Sequence, residues 1–310
     1  MVREELFGRD SRIQKAIAFA REFADQNMPL LLMGENGVGK ESLGIYIHQL
    51  SKRKSYQYLT VDCANDEKSV EDEILGHRDE ETSRYNKGII ERANKGTILL
   101  KNIDGLSDDF QKKIYKIFHE LNDYDIDVRI IATTTKNLSK LVGAGRFSRA
   151  LYLLVSGHQI FIPPLRERKE DIKLLAQYFL ENYARELLIE APYFTSEAYE
   201  KLMNFYWTYN VLELKAVVSN SIKNMHDGMI GAEDLTIGEK KNITINGEEE
   251  DGIKLMSLKE AEKLLIKKAL IHTSENRTQA AKILGVSIRT LRNKINEYRN
   301  DGTNYFVNLR

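Results

Sequence analysis

The chain is 310 residues long, 42% apolar and 30% charged, and its 46 Lys and Arg are balanced by 46 Asp and Glu. That length accommodates roughly two domains at about 100–200 residues each, and the balance excludes a chain that is strongly basic or acidic throughout. The longest apolar stretches, such as PLLLM at 29–33, fall far short of a membrane helix. The N-terminal MVREELFGRD lacks the apolar core of a secretory signal, and the single cysteine, Cys63, excludes an internal disulfide or a Cys-based zinc cluster. A soluble, cytoplasmic protein with no membrane partner is expected.

Over the first 165 residues, short apolar runs alternate with amphipathic stretches. IQKAIAFAREFA (13–24), LGIYIHQL (43–50) and SDDFQKKIYKIFHELN (107–122) carry apolar residues at helical spacing. PLLLM (29–33), YLTVDCA (58–64), GTILLKNI (96–103) and DVRIIATTT (127–135) read as buried strands. The alternation predicts an α/β domain over 1–165, built on a parallel sheet covered on both faces. After Pro163-Pro164 the stretches 169–188, 195–206 and 211–225 all read as helices with no strand between them, which predicts a small all-α domain over 166–238. The polar EKKNITINGEEEDG (239–252) reads as a linker, 239–256, with a short strand at ITI. Helical periodicity returns over 257–300, followed by a tail, 301–310.

Gly34-Glu35-Asn36-Gly37-Val38-Gly39-Lys40 fits G-x-x-x-x-G-K, between the strand PLLLM and a helix opening at Glu41. In that setting glycines let backbone N–H groups converge on phosphate oxygens, the helix N-terminus adds positive potential, and Lys40 supplies a point charge. Glu41 stands where Ser or Thr would offer Mg²⁺ a hydroxyl. Hydrolysis also needs a metal-holding carboxylate at a neighbouring strand end. The natural candidate strand, GTILLKNI, ends in Lys101-Asn102. Lys101 repels Mg²⁺, Asn102 is no base, and Asp104 comes two residues late, though geometry does not exclude it.

At these residues the chain resembles the bacterial enhancer-binding proteins, the AAA+ activators of sigma-54 RNA polymerase. The resemblance runs from Phe7 to about Arg299 and rests on LFGRDSRIQ (6–14), GENGVGKE (34–41), GTILLKNI as the Walker B strand, DVRIIATTTKNL (127–138) as the sensor I strand, FIPPLRERKEDI (161–172) and WTYNVLEL (207–214). It implies a P-loop AAA+ fold with a helical lid. It also implies losses. The Walker B Asp-Glu is Lys101-Asn102, the sensor I Asn falls on Thr135, and the sensor II Arg falls on Leu212. The two arginine fingers fall on Ser148 and Leu154, with Arg146 and Arg149 nearby. The Asn before Cys that helps sense the γ-phosphate is Asp62. The sigma-contacting GAFTGA loop is missing, since His77 to Gly88 reads HRDEETSRYNKG. The family's opening begins at about residue 6, so no receiver domain is expected. An arginine finger alone is worth roughly 10³–10⁵ in rate, so the combined losses imply negligible turnover. Binding of ATP or ADP survives on Gly34, Glu35, Asn36, Gly37, Val38, Gly39, Lys40 and Glu41. Lys101 is expected to stand in for the charge of Mg²⁺, whose own binding is disfavoured.

In the last segment, Leu258, Ala261, Leu264, Leu265 and Ala269 share one helical face. In NRTQAAKILGVSIRTLRNKINEY (276–298), Ala280, Ala281 and Leu284 suit a buried side, Gly285 fits the turn, Val286 packs inward and Ser287 caps the next helix. That helix turns Ile288, Leu291 and Ile295 inward and Arg289, Thr290, Arg292, Asn293 and Lys294 outward, a helix-turn-helix reading. The alternative is a helical hairpin that packs on a protein. The segment resembles the Fis-type DNA-binding domain. Arg289, Thr290, Arg292 and Asn293 are candidates for base edges or phosphates, Arg277 and Lys282 for phosphates, with Ser287 and Lys294 on the same surface. Fis-type resemblance implies dimerisation through the first helix and two half-sites on double-stranded DNA. Residues 253–310 hold 12 Lys/Arg against 5 Asp/Glu, a net of +7, which leaves −7 on residues 1–252.

No other motif points to chemistry. The six histidines show no metal-ligand spacing, His77 reads as solvated or structural, Cys63 as a core residue in a strand, and NDYDID (122–127) as a solvated turn. The expected protein is a sequence-specific transcription regulator of the sigma-54 activator type. It binds nucleotide without hydrolysing it or remodelling sigma-54 polymerase. Its expected partners are DNA, further copies in a homodimer or higher oligomer, and related intact activators or RNA polymerase. Two alternatives stand beside this reading: an ATP-hydrolysing activator with a rearranged site, and a protein-interaction antagonist that no longer binds DNA.

Overall fold

The computed structural model describes residues 8–78, 83–225, 227–237, 258–273 and 276–300. They fall into two compact units, one up to Lys241 and one from Asn242. Within the first unit the elements are α1 (Ser11–Phe23), β1 (Leu30–Met33), α2 (Lys40–Leu50), β2 (Tyr58–Asp62), α3 (Glu67–Leu75), β3 (Gly76–Arg78), β4 (Tyr85–Lys87), α4 (Ile89–Arg92), β5 (Thr97–Lys101), α5 (Asp108–His119), β6 (Arg129–Thr134), α6 (Leu138–Gly143), α7 (Arg149–Val155) and β7 (His158–Phe161). The lid follows as α8 (Glu170–Leu187), β8 (Tyr193–Phe194), α9 (Ser196–Asn204), α10 (Asn210–Asn224) and β9 (Met229–Ile230).

Five strands form one parallel sheet in the order β2-β5-β6-β1-β7. The apolar runs behave as buried parallel strands should: Leu30, Leu31, Leu32, Ile98, Leu99, Leu100, Ile131 and Ala132 are fully buried. One core layer holds α1, α2 and residues such as Ile13, Ile17, Leu43 and Ile47, while the other holds α3, α5 and α7. Helix α5 shows how sequence makes an element. Ser107 caps it by accepting from the Phe110 N–H, Asp108 and Asp109 occupy its first turn, and Lys116 and His119 its last, in keeping with the helix dipole. Phe110, Ile114 and Phe118, four apart, bury one face, each worth about 1.5–3 kcal/mol.

Three expectations change. YLTVDCA forms β2, but β2 is an edge strand with Val61 its one fully buried residue. Cys63 lies one residue beyond it, buried in the core, and burial, with Asp62 and Asp104, pushes its thiol up to about 12. Strand β7, the other edge, had no clear sequence signature, because Gln159 and Phe161 face solvent and only Ile160 is buried. The lid is not purely helical: β8 and β9 pair in parallel over two residues each, too short to register as strand patterns. The lid core centres on fully buried Trp207, whose Nε1–H donates to the Leu202 carbonyl at 2.9 Å.

Two buried arginines satisfy backbone carbonyls between elements. Arg129 donates to the carbonyls of Phe23 and Ala24 at the end of α1, and burial pulls its pKa down to about 10. Arg53 reaches the Gly96 and Asp127 carbonyls and the Asp127 carboxylate. Cation donors suit a helix C-terminus, whose last carbonyls lack intrahelical partners.

The second unit contains α11 (Leu258–His272), α12 (Arg277–Ile283) and α13 (Ile288–Asn300). Its core is Ile266, Ala269, Leu270, Ala280, Ala281, Leu291, Ile295 and Tyr298, with Leu284 packed against it. The expected inner face of α11 is therefore rotated: Ala269 is buried, but Leu264 and Leu265 are 39% and 57% exposed, and the side chains of Leu258 and Ala261 lie outside the described residues. Val286 and Ile288 are exposed rather than inward. Gly285 takes φ +67 at the turn, as expected. The linker and its ITI segment lie outside the described residues, as does the tail.

Candidate functional site

The nucleotide-side residues gather at the C-terminal ends of β1, β5 and β6, where strand order reverses around β1 and open α/β sheets bind ligands. The loop Gly34–Gly39 leaves β1 and Lys40 opens α2. Each loop carbonyl has a donor. Lys40 Nζ donates to those of Gly34 and Glu35 at 2.8 Å each. Asn210 Nδ2 donates to that of Asn36 at 2.9 Å, and the N–H groups of Val211 and Leu212 to that of Gly37 at 2.9 and 3.3 Å. Arg168 donates to the Val38 carbonyl at 2.9 Å, and the Leu43 N–H to the Gly39 carbonyl at 3.0 Å. The amides from Glu35 to Lys40 have no protein acceptor among the described residues. The result is a fixed ring of free N–H groups at a helix N-terminus, which is what a phosphate needs. Val38 contributes only backbone, since its side chain is core.

Gly37 shows why the loop has this shape. Its φ is +74, and a Cβ there would lie 2.1 Å from the Tyr209 carbonyl oxygen of the lid. Asn210 is fully buried at φ +53, a backbone state Asn tolerates. Its Oδ1 accepts from the Leu165 N–H at 2.7 Å while its Nδ2 serves the loop.

The electrostatics are self-neutralised. Lys40 is 8% exposed. Burial lowers its pKa to about 8, against the opposing charges of Asp104, Glu41 and Glu35. Lys101 lies 2.9 Å from Glu41 and 3.5 Å from Asp62. Burial opposes its charge, but Glu41 and Asp62 hold its pKa above the ordinary lysine value. Lys101 is thus committed to these two carboxylates. Asn102 donates to Asp62 at 2.9 Å. Asp104 is nearly buried, accepts from the Thr134 hydroxyl at 2.7 Å and pairs with Lys136 at 3.2 Å. The Lys101 ammonium thus lies between Glu41 and Asp62.

The other positions singled out by sequence sit as follows. Thr135 lines a cavity of about 370 Å³ beside the loop. Leu212 touches the loop through its backbone, its side chain exposed. Ser148 caps α7, Leu154 packs on the core, and Arg146 and Arg149 are exposed. Around this segment β3 and β4 form a three-residue antiparallel ladder, with residues 79–82 outside the described part. His77 is exposed there beside Asn86. Sequence reasoning missed Arg166, Arg168 and Asn210 as loop partners. Their segments were recognisable, but the contacts span 130 to 175 residues.

On the second unit, Arg289, Thr290, Arg292 and Asn293 are exposed on α13. Ser287 caps that helix, its Oγ accepting from the Thr290 N–H at 3.0 Å and lying 2.8 Å from the Thr290 hydroxyl. Lys282 is exposed in the last turn of α12 and Arg277 half-buried in its first. Lys294, on the same helix, keeps its side chain 34% exposed. It pairs with Glu262 of α11 at 3.1 Å and Glu297 at 3.5 Å, and Glu262 also accepts from Tyr298.

Among the described residues no helix is long and apolar enough to cross a membrane. Residues 6–161 match the family described as the sigma-54 interaction domain, 166–247 the AAA+ ATPase lid domain, and 257–298 the Fis family of bacterial regulatory proteins. The chain is 30% identical over 308 residues to a signal-transduction and transcriptional-control protein of Clostridium beijerinckii, covering 95% of this chain and 48% of that one. It is 30% identical over 320 residues to the transcriptional regulatory protein FlbD of Caulobacter vibrioides, covering 95% of this chain and 70% of FlbD. The chain spans about half the length of the Clostridium protein, and likewise of the Nif-specific regulatory protein of Herbaspirillum seropedicae. In fold it is similar to NtrX of Brucella abortus solved in complex with ADP, with TM-score 0.67, 23% identity, and 95% of this chain and 69% of NtrX covered. A phosphate loop on a parallel sheet, a lid that ties it and a three-helix reader, matched in this order, make the chain a member of the sigma-54-dependent transcriptional regulators, with an AAA+ module and a Fis-type helix-turn-helix.

Proposed function

We propose that this protein is a DNA-binding regulator whose AAA+ module holds ATP or ADP without Mg²⁺ and without hydrolysis, and that it does not itself remodel sigma-54 polymerase. One observation carries the reading: the Lys101 ammonium lies between Glu41 and Asp62 at the strand end where a metal-holding carboxylate is needed. An ammonium there supplies positive charge beside the phosphates but neither a metal ligand nor a base. The loop amides and Lys40 bind and orient the phosphates. The lid, through Asn210, Val211, Leu212 and Arg168, holds the loop carbonyls away from them. The sites so proposed are Gly34 to Glu41 with Lys101 for nucleotide, and Arg277, Lys282, Ser287, Arg289, Thr290, Arg292, Asn293 and Lys294 for DNA. The functional divisions are 1–165, 166–238, 239–256, 257–300 and 301–310. Two copies would read half-sites about one helical turn apart, and regulation would follow from occupying DNA or joining intact relatives in mixed oligomers.

Thermal-shift titration tests the nucleotide half. ATP is expected to raise the melting temperature equally with Mg²⁺ or with EDTA, and Lys40→Ala to remove the effect. A shift wholly dependent on Mg²⁺ counts against the reading. A second reading, an active ATPase with a rearranged site, is favoured by Asp104, a nearly buried carboxylate whose charge acts on Lys40. Steady-state ATP turnover lost in both Lys40→Ala and Asp104→Asn would establish it.

A further inference from the structure

Loop and lid are joined by one bidentate ion pair. Arg166 Nη1 and Nη2 donate to the two carboxylate oxygens of Glu35 at 2.7 and 2.5 Å, and the guanidinium lies 4.8 Å from the centre of the Tyr206 ring. Arg166 belongs to the short 3-10 turn Leu165–Glu167 that leads from the sheet into the lid. Glu35 belongs to the phosphate loop. Both line the 370 Å³ cavity together with Asn36 and Thr135, so the pair faces the space that continues from the free loop amides to the end of β6. The other cations around the loop are placed differently. Lys101 is held by Glu41 and Asp62, Lys136 by Asp104, and Arg168 lies on the Val38 carbonyl. Among the described residues, Arg166 is the cation that lines the cavity.

Resting on the nucleotide reading above, we propose that Arg166 distinguishes a nucleoside triphosphate from a diphosphate, and that Glu35 is the carboxylate it leaves when a terminal phosphate enters the cavity. A guanidinium fork fits two carboxylate oxygens and two phosphoryl oxygens equally well, and a terminal phosphate carries the greater charge. In the proposed pose the loop amides hold the β-phosphate and the terminal phosphate takes the cavity beside Asn36 and Thr135. A diphosphate ends short of the cavity and leaves the Arg166–Glu35 pair intact. The exchange does not strand Glu35, because Asn210 Nδ2 lies 3.2 Å from its Oε2. Tyr206 supports the guanidinium face in either state. The pair makes this chain's discrimination independent of the residues at the sensor II and finger positions, Leu212, Ser148 and Leu154.

Calorimetric titration of the full chain with ATP and with ADP, in EDTA, tests the proposal. The wild type is expected to prefer ATP about tenfold or more, the scale of one charge-assisted fork. Arg166→Ala should abolish that preference by weakening ATP while leaving ADP within about twofold. Glu35→Gln, which keeps a hydrogen-bonding group but removes the competing charge, should tighten ATP several-fold. It carries the test if Arg166→Ala does not fold. An unchanged ATP-to-ADP ratio in Arg166→Ala, equal weakening of both nucleotides, no ATP preference in the wild type, or unchanged ATP affinity in Glu35→Gln overturns the proposal. Failure of the wild type to bind either nucleotide instead overturns the nucleotide reading, and the proposal with it.

Discussion

Lys40 concentrates the chemistry of the site in one ammonium. Burial holds its pKa near 8 in the folded chain, against about 10.4 unfolded. The cost of keeping it charged is therefore fully present below pH 8. It is relieved as pH rises from 8 toward 10.4, where the unfolded chain binds the extra proton and folded stability increases. Phosphate needs the opposite, a charged Lys40. Nucleotide binding is expected to take up a proton near pH 8.5 and to weaken steadily above it. Calorimetry in buffers of different ionisation heats reads that uptake, and Lys40→Met should abolish it. Lys101 differs in kind: its two carboxylates hold its pKa above the ordinary value, so its charge persists throughout that range.

At the scale of elements, α13 divides its basic residues between two tasks. Arg289 and Arg292 are exposed, whereas Lys294 ties α13 to α11 through Glu262, which Tyr298 also reaches. Arg289→Ala and Arg292→Ala are each expected to weaken binding to a cognate site by about 1–3 kcal/mol. Lys294→Ala should weaken that binding too and, unlike the arginine variants, also lower the thermal stability of the helix-turn-helix, since its ammonium pairs with Glu262. Gel-shift titration and melting curves on the same variants separate the two. The reason the Lys294–Glu262 pair was not legible in the sequence is geometric. Helical spacing gives a residue's angle around its own axis, but it cannot supply the neighbour, 32 residues earlier, that captures it. The same limit explains α11, where LLIKKAL offers two adjacent apolar faces and the packed one is Ile266, Ala269 and Leu270. Strands β1, β5 and β6 were legible because a central parallel strand is buried on both sides, which leaves an apolar run in each: Leu30–Leu32, Ile98–Leu100 and Ile130–Ala132. The edge strand β7 was not, because Gln159 and Phe161 face water, whereas β2 was read as a strand although Val61 is its one fully buried residue.

In the whole chain, the phosphate loop was legible as seven consecutive residues, yet the residues that fix it come from the lid: Arg166, Arg168, Asn210 and the first N–H groups of α10. Charge is partitioned on the same scale, with +7 on residues 253–310 and −7 before them. Phosphate backbone is attracted to the first and repelled by the second, so net neutrality is compatible with specific DNA binding and disfavours coating. The approach of the Tyr209 carbonyl to Gly37 has a consequence for how such chains drift. Gly37→Ala is expected to lower the melting temperature of the nucleotide-free protein, because the clash is with lid backbone and exists whether or not phosphate is present; differential scanning calorimetry without nucleotide reads it. The glycine is thus retained by architecture as well as by ligand. A descendant that abandoned nucleotide altogether would still keep this part of the signature, as a keystone outlasts the traffic through its arch.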